Sequence, residues 1–303
     1  WAGGAHGYWM KALLAEYATF CEPGLAPEGA AMLRVLTGSF ERIGYEVVTP
    51  GSGDLDRELE RLAPECDVGL VIAPDHLLYG FTHIIEGLTK NIGCSSLVTA
   101  VCADKVRTGA ILRRHGIPVP ETVDSGPRVV KPIRGCGSTG VRITEDPPGE
   151  EEFAQRYIEG EHLSVSLVGS MNVGEACLYF SGRPPLALAL NRQEIEVREG
   201  VFHYLGGETP VDHPGIDGIL AMARKAVTVL GCQGYAGVDV VVQDRVYVVD
   251  VNPRITTSIV GIAAVMEEEI AAILVDASQG KGPDSVHLHG RVRFTKDGRV
   301  TRL

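Results

Sequence analysis

Apolar positions in the first third of the chain recur with two spacings, one typical of buried strands and the other of amphipathic helices. The predicted elements are an apolar run at 11–17, a helix at 28–43, a strand at 45–49, a helix at 54–62 and a buried strand at 68–73. Strands that alternate with helices are typical of a parallel sheet covered on both faces. We therefore predict an α/β fold that begins with a parallel sheet.

Shorter elements follow in the rest of the chain. A predicted helix begins at Ser95, Ser96 or Thr99 and carries Asp104 and Lys105. The remaining predictions are strands at 128–132, 141–144, 163–168 and 186–190, helices at 151–157 and 216–230, and a closing hairpin within 286–303.

Polar residues emerge where two of the predicted strands end. Asp75 follows the strand at 68–73, and Arg192 follows the strand at 186–190. Ligands of open α/β sheets collect at the carboxyl ends of strands, so Asp75 indicates a substrate wall; a helix cap is the alternative. Arg192 is a candidate for neutralising phosphate, with a salt bridge at the strand end as the alternative.

Two valine-rich runs near the C-terminal end, 238–242 and 246–251, predict an antiparallel hairpin. If its turn is centred on Asp244 and Arg245, Asp239 lies directly opposite Asp250. The two-residue period of a strand then places Asn252 on the same face as Asp250. Three oxygen ligands are thus expected to converge.

Facing carboxylates about 5 Å apart repel each other, so a chain that keeps them in valine-rich strands needs compensation. Mg²⁺ prefers oxygen ligands and completes its coordination shell with water and substrate phosphates. We predict a magnesium site at Asp239, Asp250 and Asn252. The alternative is an edge hairpin whose acids face water.

A glycine-rich segment follows the strand at 128–132. Gly135, Gly137 and Gly140 match G-x-G-x-x-G, but the segment leads into a strand, whereas a dinucleotide fingerprint leads into a helix. We therefore predict a flap whose backbone N–H groups at Gly137 and Ser138 close over phosphates, with a structural hairpin as the alternative. Lys131, inside the preceding strand, would pair with a nucleotide phosphate or be a structural lysine on the sheet face.

Composition narrows the classes of partner. A chain of 303 residues is long enough for two or three subdomains. Its net charge of -11 argues against nucleic acid as a partner. No apolar run approaches the ~18 residues of a membrane span.

Cysteine usage bears on the compartment. The seven cysteines are odd in number and contain no Cys-x-x-Cys pair. This pattern predicts reduced thiols in a cytoplasmic protein and argues against a disulfide framework or a zinc site. Residues 1–9 lack the features of a signal peptide and are interpreted as an extension before a start at Met10.

Taken together, these motifs resemble the ATP-grasp superfamily of carboxylate–amine ligases over roughly residues 100–262. The stretches that carry the resemblance are Asp104-Lys105, Lys131-Pro132, 135–140, 158–162 with Ser164-Val165, 237–239 and 250–254. Within the superfamily, the chain is similar to the tyramine–L-glutamate ligases of methanofuran biosynthesis. Phrases such as Gly93-Cys-Ser-Ser96, 188–193, 205–208 and 252–258 extend that similarity to most of the chain.

The resemblance implies roles for individual residues. Those implied for nucleotide binding are Lys105 and Lys131 on the phosphates, the flap at Gly135, Gly137 and Ser138, backbone at Arg156 and Ile158 on adenine, and Glu161 or His162 on the ribose. Asp239, Asp250 and Asn252 would bind two Mg²⁺ ions, with Mn²⁺ as an option. Arg254 and Arg192 would stabilise an acyl phosphate, and with Lys131 they form the implied catalytic set.

The resemblance also implies an architecture and a reaction. The fold would comprise an N-terminal substrate-side domain at 10–100, a small lid subdomain at 101–160 and a large subdomain with the metal site at 161–303, the last two clamping ATP. The reaction would join the side-chain carboxylate of L-glutamate to an amine such as tyramine, releasing ADP and phosphate. A different acid and amine pair, or a nucleotide-binding regulator without turnover, are the alternatives. The resemblance leaves a homodimer open.

Overall fold

The computed structural model describes residues 9–21, 26–51, 53–135, 139–170 and 183–303. These residues form two β-sheets. The first is parallel, in the order β2-β1-β3-β4, and comprises β1 (Lys11–Glu16), β2 (Glu46–Val48), β3 (Val68–Ile72) and β4 (Lys90–Asn91). The predicted parallel sheet is confirmed.

The helices of the described residues connect and cover the strands. They are α1 (Tyr17–Cys21), α2 (Pro27–Arg42), α3 (Leu55–Leu62), α4 (Asp75–Leu88), α5 (Ser96–Ala103), α6 (Lys105–Arg114), α7 (Ile216–Leu230), α8 (Ser258–Ile262) and α9 (Ile270–Ala277). None of the helices in these ranges is long and apolar enough to cross a membrane.

Strand β1 shows why the parallel sheet needs cover on both faces. Ala12 and Leu14 pack into one core with α2, while Leu13 and Ala15 pack into another with α3 and α4. Successive side chains of a strand point to opposite faces, so this almost uniformly apolar strand is buried on both. The first core continues into α8 and α9 and therefore joins the parallel sheet to the C-terminal part of the chain.

The second sheet is antiparallel and contains ten of the described strands. Its main order is β12-β11-β8-β9-β10-β6-β5-β7, with β13 paired to β10 and β14 to β13. The strands are β5 (Arg128–Pro132), β6 (Arg142–Thr144), β7 (Glu152–Arg156), β8 (Glu161–Gly169), β9 (Leu186–Arg198), β10 (Val201–Thr209), β11 (Gly234–Val242), β12 (Val246–Asn252), β13 (Val292–Thr295) and β14 (Val300–Arg302). The predicted closing hairpin corresponds to β13 and β14.

Two predicted helices were wrong. The segment predicted as a helix at 151–157 forms strand β7, because it pairs with β5 and buries Phe153 and Ala154 against it. The helix expected to carry Asp104 and Lys105 is instead two helices. The Asp104 side chain accepts the Arg107 backbone N–H and caps α6, so the chain starts a new helix there.

One predicted strand is longer than expected. The strand predicted at 186–190 continues through Asn191, Arg192 and Gln193 to the end of β9. Buried Asn191 and exposed Arg192 lie on opposite faces of the sheet, so the polar run marks a change of environment and not the end of the strand.

The division into subdomains stays a prediction. In the structure, the strands of the expected lid, β5 to β7, join the rest of the antiparallel sheet through one residue pair, Val201 with Arg142. The cysteines of the described ranges are free thiols.

Candidate active site

A cavity of about 210 Å³ lies between the antiparallel sheet and the N-terminal ends of two helices. Ionisable side chains from several elements line it, among them Glu28 of α2, Lys105 of α6, Lys131 of β5, His162 of β8, Asp239 of β11 and Asp250 of β12. A cavity with convergent polar groups is the expected form of a small-molecule site.

The β11–β12 hairpin brings its two acids together as predicted, but by a different turn. Val242 pairs with Val246, which leaves a three-residue loop, and a bulge at Val249 then restores the pairing of Asp239 with Asp250. Bulges near active sites redirect backbone and side-chain groups. Here the carbonyl of Val249 accepts a hydrogen bond from Lys131 Nζ at 2.9 Å.

The pKa values of the two acids are shifted in opposite directions. Burial, followed by the charge of Asp250, raises the pKa of Asp239 to about 7. Burial also raises the pKa of Asp250, but Lys105 and Lys131 outweigh it, so the net pKa lies below the ordinary value. The charged form of Asp239 is therefore disfavoured, because the Asn252 hydrogen bond and the charges of Lys105 and Arg254 lower its pKa by less than burial and Asp250 raise it.

Lys105 is the partner of Asp250. Its Nζ lies 2.5 Å from Oδ2 of Asp250, and its side chain is 9% exposed. Burial lowers the pKa of Lys105, but the charges of Asp250 and Asp75 together outweigh this effect. The net pKa of Lys105 lies above its ordinary value. The Lys105 side chain reaches the cavity because the helix break at Asp104 starts α6 there.

Lys131 is buried at 8% exposure in the middle of the cavity wall. Burial lowers its pKa to about 8, with the nearby charge of Lys105 acting in the same direction. Its ammonium group also lies 5.3 Å from the centre of the Phe153 ring. An anionic ligand would favour the charged form of a lysine held this way, and its pairing with a nucleotide phosphate stays a prediction.

The donor set of the hairpin fits a hard divalent cation. Asn252 Nδ2 donates to Asp239 at 3.1 Å, and Gln193 Nε2 donates to the other oxygen of Asp239 at 3.0 Å. Two carboxylates and an amide converge on one wall, and carboxylate and amide oxygens are the ligands that Mg²⁺ accepts. In the described ranges no cluster of three or more His, Cys, Asp or Glu residues could hold a metal ion. The predicted metal ligands are two carboxylates and the amide of Asn252, a combination that such clusters do not include.

Arg254 lines the cavity and is held in place by Asp75. Asp75 is 2% exposed and accepts a hydrogen bond from Arg254 Nε at 2.9 Å. Asp75 begins α4 without capping it through its side chain, so the helix-cap alternative was wrong. Its carboxylate lies behind the cavity wall and holds the guanidinium group that does line the cavity.

Residues predicted for adenine and ribose also line the cavity. Arg156, Ile158 and His162 line it, and so does Gly135. Burial lowers the pKa of His162. Glu161 is engaged elsewhere, since Arg192 donates to it at 2.9 Å; of the two ribose candidates, His162 is the one that the structure places in the cavity.

The structure does not bring Arg192 to the cavity. Its guanidinium group contacts Glu161 and lies 3.6 Å from Glu208, on the exposed face of β9. The neighbouring Gln193 faces Asp239 instead, because successive residues of a strand alternate. The predicted flap residues Gly137 and Ser138 lie outside the described residues.

Several cavity residues were missed by the sequence analysis. They are Glu28, Gln193, Tyr204, Thr256, Thr257 and Ser258. The available signal was the polar run at 252–258, which follows directly on the predicted metal ligands of the hairpin. Glu28 carried no such signal, since an acid in the first turn of a helix is ordinary.

Comparison with known proteins decides the family. Residues 102–258, just over half of the chain, match the ATP-grasp domain. The chain belongs to the ATP-grasp family. This match contains the two lysines, the hairpin acids and Arg254, so the geometric site and the family domain coincide.

Curated relatives include two tyramine–L-glutamate ligases. The protein from Methanocaldococcus fervens is 37% identical over 213 residues, which cover 69% of this chain and 65% of that protein. The protein from Methanocaldococcus jannaschii is 35% identical over 216 residues, covering 69% of this chain and 63% of that protein. The chain therefore spans a little under two thirds of the length of these relatives.

A solved structure agrees on the fold. A structure assigned to the ATP-grasp superfamily, from Archaeoglobus fulgidus, superposes with a TM-score of 0.76 at 29% identity, covering 94% of this chain and 92% of that one. The predicted ATP-grasp fold is confirmed.

Proposed function

We propose that this ATP-grasp protein is an ATP-dependent ligase that forms an amide through an acyl phosphate. We further propose that it joins the side-chain carboxylate of L-glutamate to tyramine, as the names of its curated relatives suggest. The observation that carries the proposal is that the paired acids Asp239 and Asp250 line one cavity together with Lys105 and Lys131. Such a set provides for both a divalent cation and a polyphosphate.

The chemistry of amide formation explains why these groups are needed. A carboxylate is a poor electrophile, since its leaving group would be oxide. Transfer of the γ-phosphoryl group of ATP to the carboxylate converts that oxygen into a phosphate leaving group. An uncharged amine can then attack the carbonyl carbon, lose a proton and expel phosphate.

Each charged group would have a defined task. Lys131 and Lys105 would bind phosphate oxygens, and Arg254, oriented by Asp75, would neutralise charge that develops on the transferred phosphoryl group. Asp239, Asp250 and Asn252 would hold Mg²⁺. A bound magnesium ion supplies charge neutralisation and orientation of the phosphates.

A steady-state assay of ADP release tests the proposal. We expect release only when L-glutamate and tyramine are both present with Mg²⁺ and ATP. Release with a different acid and amine pair would keep the ligase mechanism and reject the substrates. Tight ATP binding with no release under any mixture would instead support a regulator without turnover.

A further inference from the structure

The Gln193 side chain contacts an acid that lies two strands away in the antiparallel sheet. Its Nε2 atom donates a hydrogen bond to Oδ1 of Asp239 at 3.0 Å, although Gln193 lies in β9 and Asp239 in β11. Strand β8 lies between these two strands. Neighbouring strands are about 4.8 Å apart, so the contact bridges backbones that are about 10 Å apart. Ordinary strand pairing does not produce a contact of this length.

The register of the sheet explains how the glutamine reaches Asp239. Asp239 pairs with Ser164 of β8, and Ser164 pairs with Asn191 of β9. Paired residues share a face of the sheet, and so do residues two apart along a strand, so Gln193 lies on the face of Asp239. Ser164 lines the cavity, and its short side chain leaves room for the longer glutamine to cross β8.

Both oxygens of Asp239 accept a hydrogen bond from an amide. Gln193 donates to Oδ1, and Asn252 Nδ2 donates to Oδ2 at 3.1 Å. An ionised carboxylate only accepts hydrogen bonds, so the amide nitrogens are the atoms that face it. Its two oxygens together have about four lone-pair positions, so each oxygen keeps a position for a further partner. The two hydrogen bonds therefore orient the carboxylate and leave it able to bind a cation.

The two amides differ in what cation binding requires of them. A divalent cation binds an amide through its oxygen, so Asn252 as a metal ligand has to turn its oxygen toward the cation. In the structure it is the nitrogen of Asn252 that faces Asp239. Gln193 is not one of the predicted ligands and can keep its hydrogen bond. It is then the amide that continues to hold Asp239.

We propose that Gln193 is a positioning residue for the divalent-cation site: it holds the Asp239 carboxylate toward the cavity, and the cation binds more weakly without it. This inference rests on the proposed function for the presence of the cation. A group that hydrogen-bonds to a metal ligand orients that ligand, and its removal typically weakens metal binding about tenfold to a hundredfold. Asp239 depends on such a donor, because burial and the charge of Asp250 disfavour its charged form.

The test measures how much Mg²⁺ strengthens nucleotide binding, without turnover. The non-hydrolysable ATP analogue AMP-PNP is titrated calorimetrically into the full chain, once with Mg²⁺ and once in chelator. The ratio of the dissociation constant in chelator to that with Mg²⁺ reports the contribution of the cation.

Two variants of Gln193 remove the hydrogen bond in different ways. Gln193→Met removes the donor at nearly the same length, and Gln193→Asn keeps an amide that is one methylene too short for the span. We expect the ratio to fall about tenfold in both, because Asp239 loses its orienting partner. Their affinity for AMP-PNP in chelator should be that of the wild type, which also shows that the cavity is intact.

Gln155→Met is the matched control. Gln155 also lines the cavity, but its Nε2 donates to the carbonyl of Pro120 at 3.3 Å, which is not a predicted metal ligand. The ratio in this variant should equal that of the wild type. A wild-type ratio in Gln193→Met would overturn the proposal. An equal loss of affinity with Mg²⁺ and in chelator would also overturn it, because Gln193 would then act on the nucleotide and not on the cation.

The outcome is separable from that of the proposed reaction. If the ratio falls in the Gln193 variants but the wild type releases no ADP with glutamate and tyramine, the positioning role stands and the reaction is rejected. If the wild type releases ADP and Gln193→Met keeps the wild-type ratio, the reaction stands and the positioning role is rejected. A wild type whose affinity for AMP-PNP does not depend on Mg²⁺ would overturn the positioning role as well.

Discussion

Burial disfavours the charged forms of both Asp239 and Lys131, and the two side chains face the same cavity. Burial raises the pKa of Asp239 to about 7 and lowers the pKa of Lys131 to about 8. Neither residue is placed there to stabilise the ligand-free protein. A divalent cation beside Asp239 would lower its pKa again, and an anionic ligand beside Lys131 would raise its pKa again.

The Asp239 shift gives a pH dependence of stability. Because its folded pKa is raised, its contribution to the free energy of unfolding is complete below about pH 4 and is lost as the pH rises through about 7. In chelator, the wild type should lose up to about 1.4 kcal/mol per pH unit across this window relative to Asp239→Asn. Denaturant unfolding at several pH values measures this. If the free energy of unfolding changes with pH equally in the two proteins, the raised pKa of Asp239 is contradicted. Asp244→Asn, at an exposed turn position, is the control.

Lys131→Met should weaken ATP binding about tenfold to a hundredfold, because a charge-assisted contact to phosphate is lost. Calorimetric titration with AMP-PNP and Mg²⁺ measures the change. Lys225→Met removes the same charge from the exposed face of α7 and should bind normally. An unchanged affinity in Lys131→Met would indicate that Lys131 has a structural role and does not bind phosphate.

How much of the site could be predicted differs from residue to residue. The facing of Asp239 and Asp250 followed from two valine runs and a polar turn, since strand pairing is local. The Lys105 contact spans 145 residues of sequence and depends on where α6 begins, so no local pattern contains it. Arg192 was misplaced because the polar run at 191–193 was interpreted as a strand end.

Among the elements, α7 agrees with its predicted range to the residue. Its apolar period is regular, and Gly231 ends it with a left-handed φ of 73°. By contrast, the five residues of β7 carry no decisive pattern. Their strand conformation is imposed by pairing with β5, and tertiary context of this kind overrides local preference.

Two glycines, one in the first turn of α7 and one directly after its last residue, test where the helix ends. Gly231→Ala should lower the free energy of unfolding by about 1 kcal/mol, because alanine is strained in the left-handed region. Gly218→Ala, in the first turn with nothing within 4 Å of a new Cβ, should raise it by about 0.5 to 1 kcal/mol. Denaturant unfolding measures both, and the same sign for the two changes would contradict the assignment of the helix end.

At the scale of the whole molecule, the cavity depends on contacts between distant parts of the chain. Residues of α2, α6, α8 and the antiparallel sheet meet there, and one hydrophobic core runs from β1 through α2 to α8 and α9. The family and fold were predictable because the motifs occur in a specific order. The contact of Glu28 in α2 with Thr257 was not, since it follows from three-dimensional assembly.

Ligand binding should therefore raise the free energy of unfolding of the whole molecule. This stabilisation should require nucleotide and metal together. At a hundredfold excess of AMP-PNP over its dissociation constant with Mg²⁺, unfolding should cost about 2.7 kcal/mol more. Asp250→Ala should remain folded, lose ADP formation and lose the part of this stabilisation that depends on Mg²⁺. Full metal-dependent stabilisation in that variant would show that the metal lies elsewhere.

The most direct test of the central claim follows one oxygen atom. L-Glutamate labelled with ¹⁸O in its side-chain carboxylate is turned over with ATP, Mg²⁺ and tyramine, and the released phosphate is analysed by mass spectrometry. An acyl phosphate requires one labelled oxygen to pass from the carboxylate into each phosphate. Phosphate that leaves without the label, while amide is formed, would contradict the account.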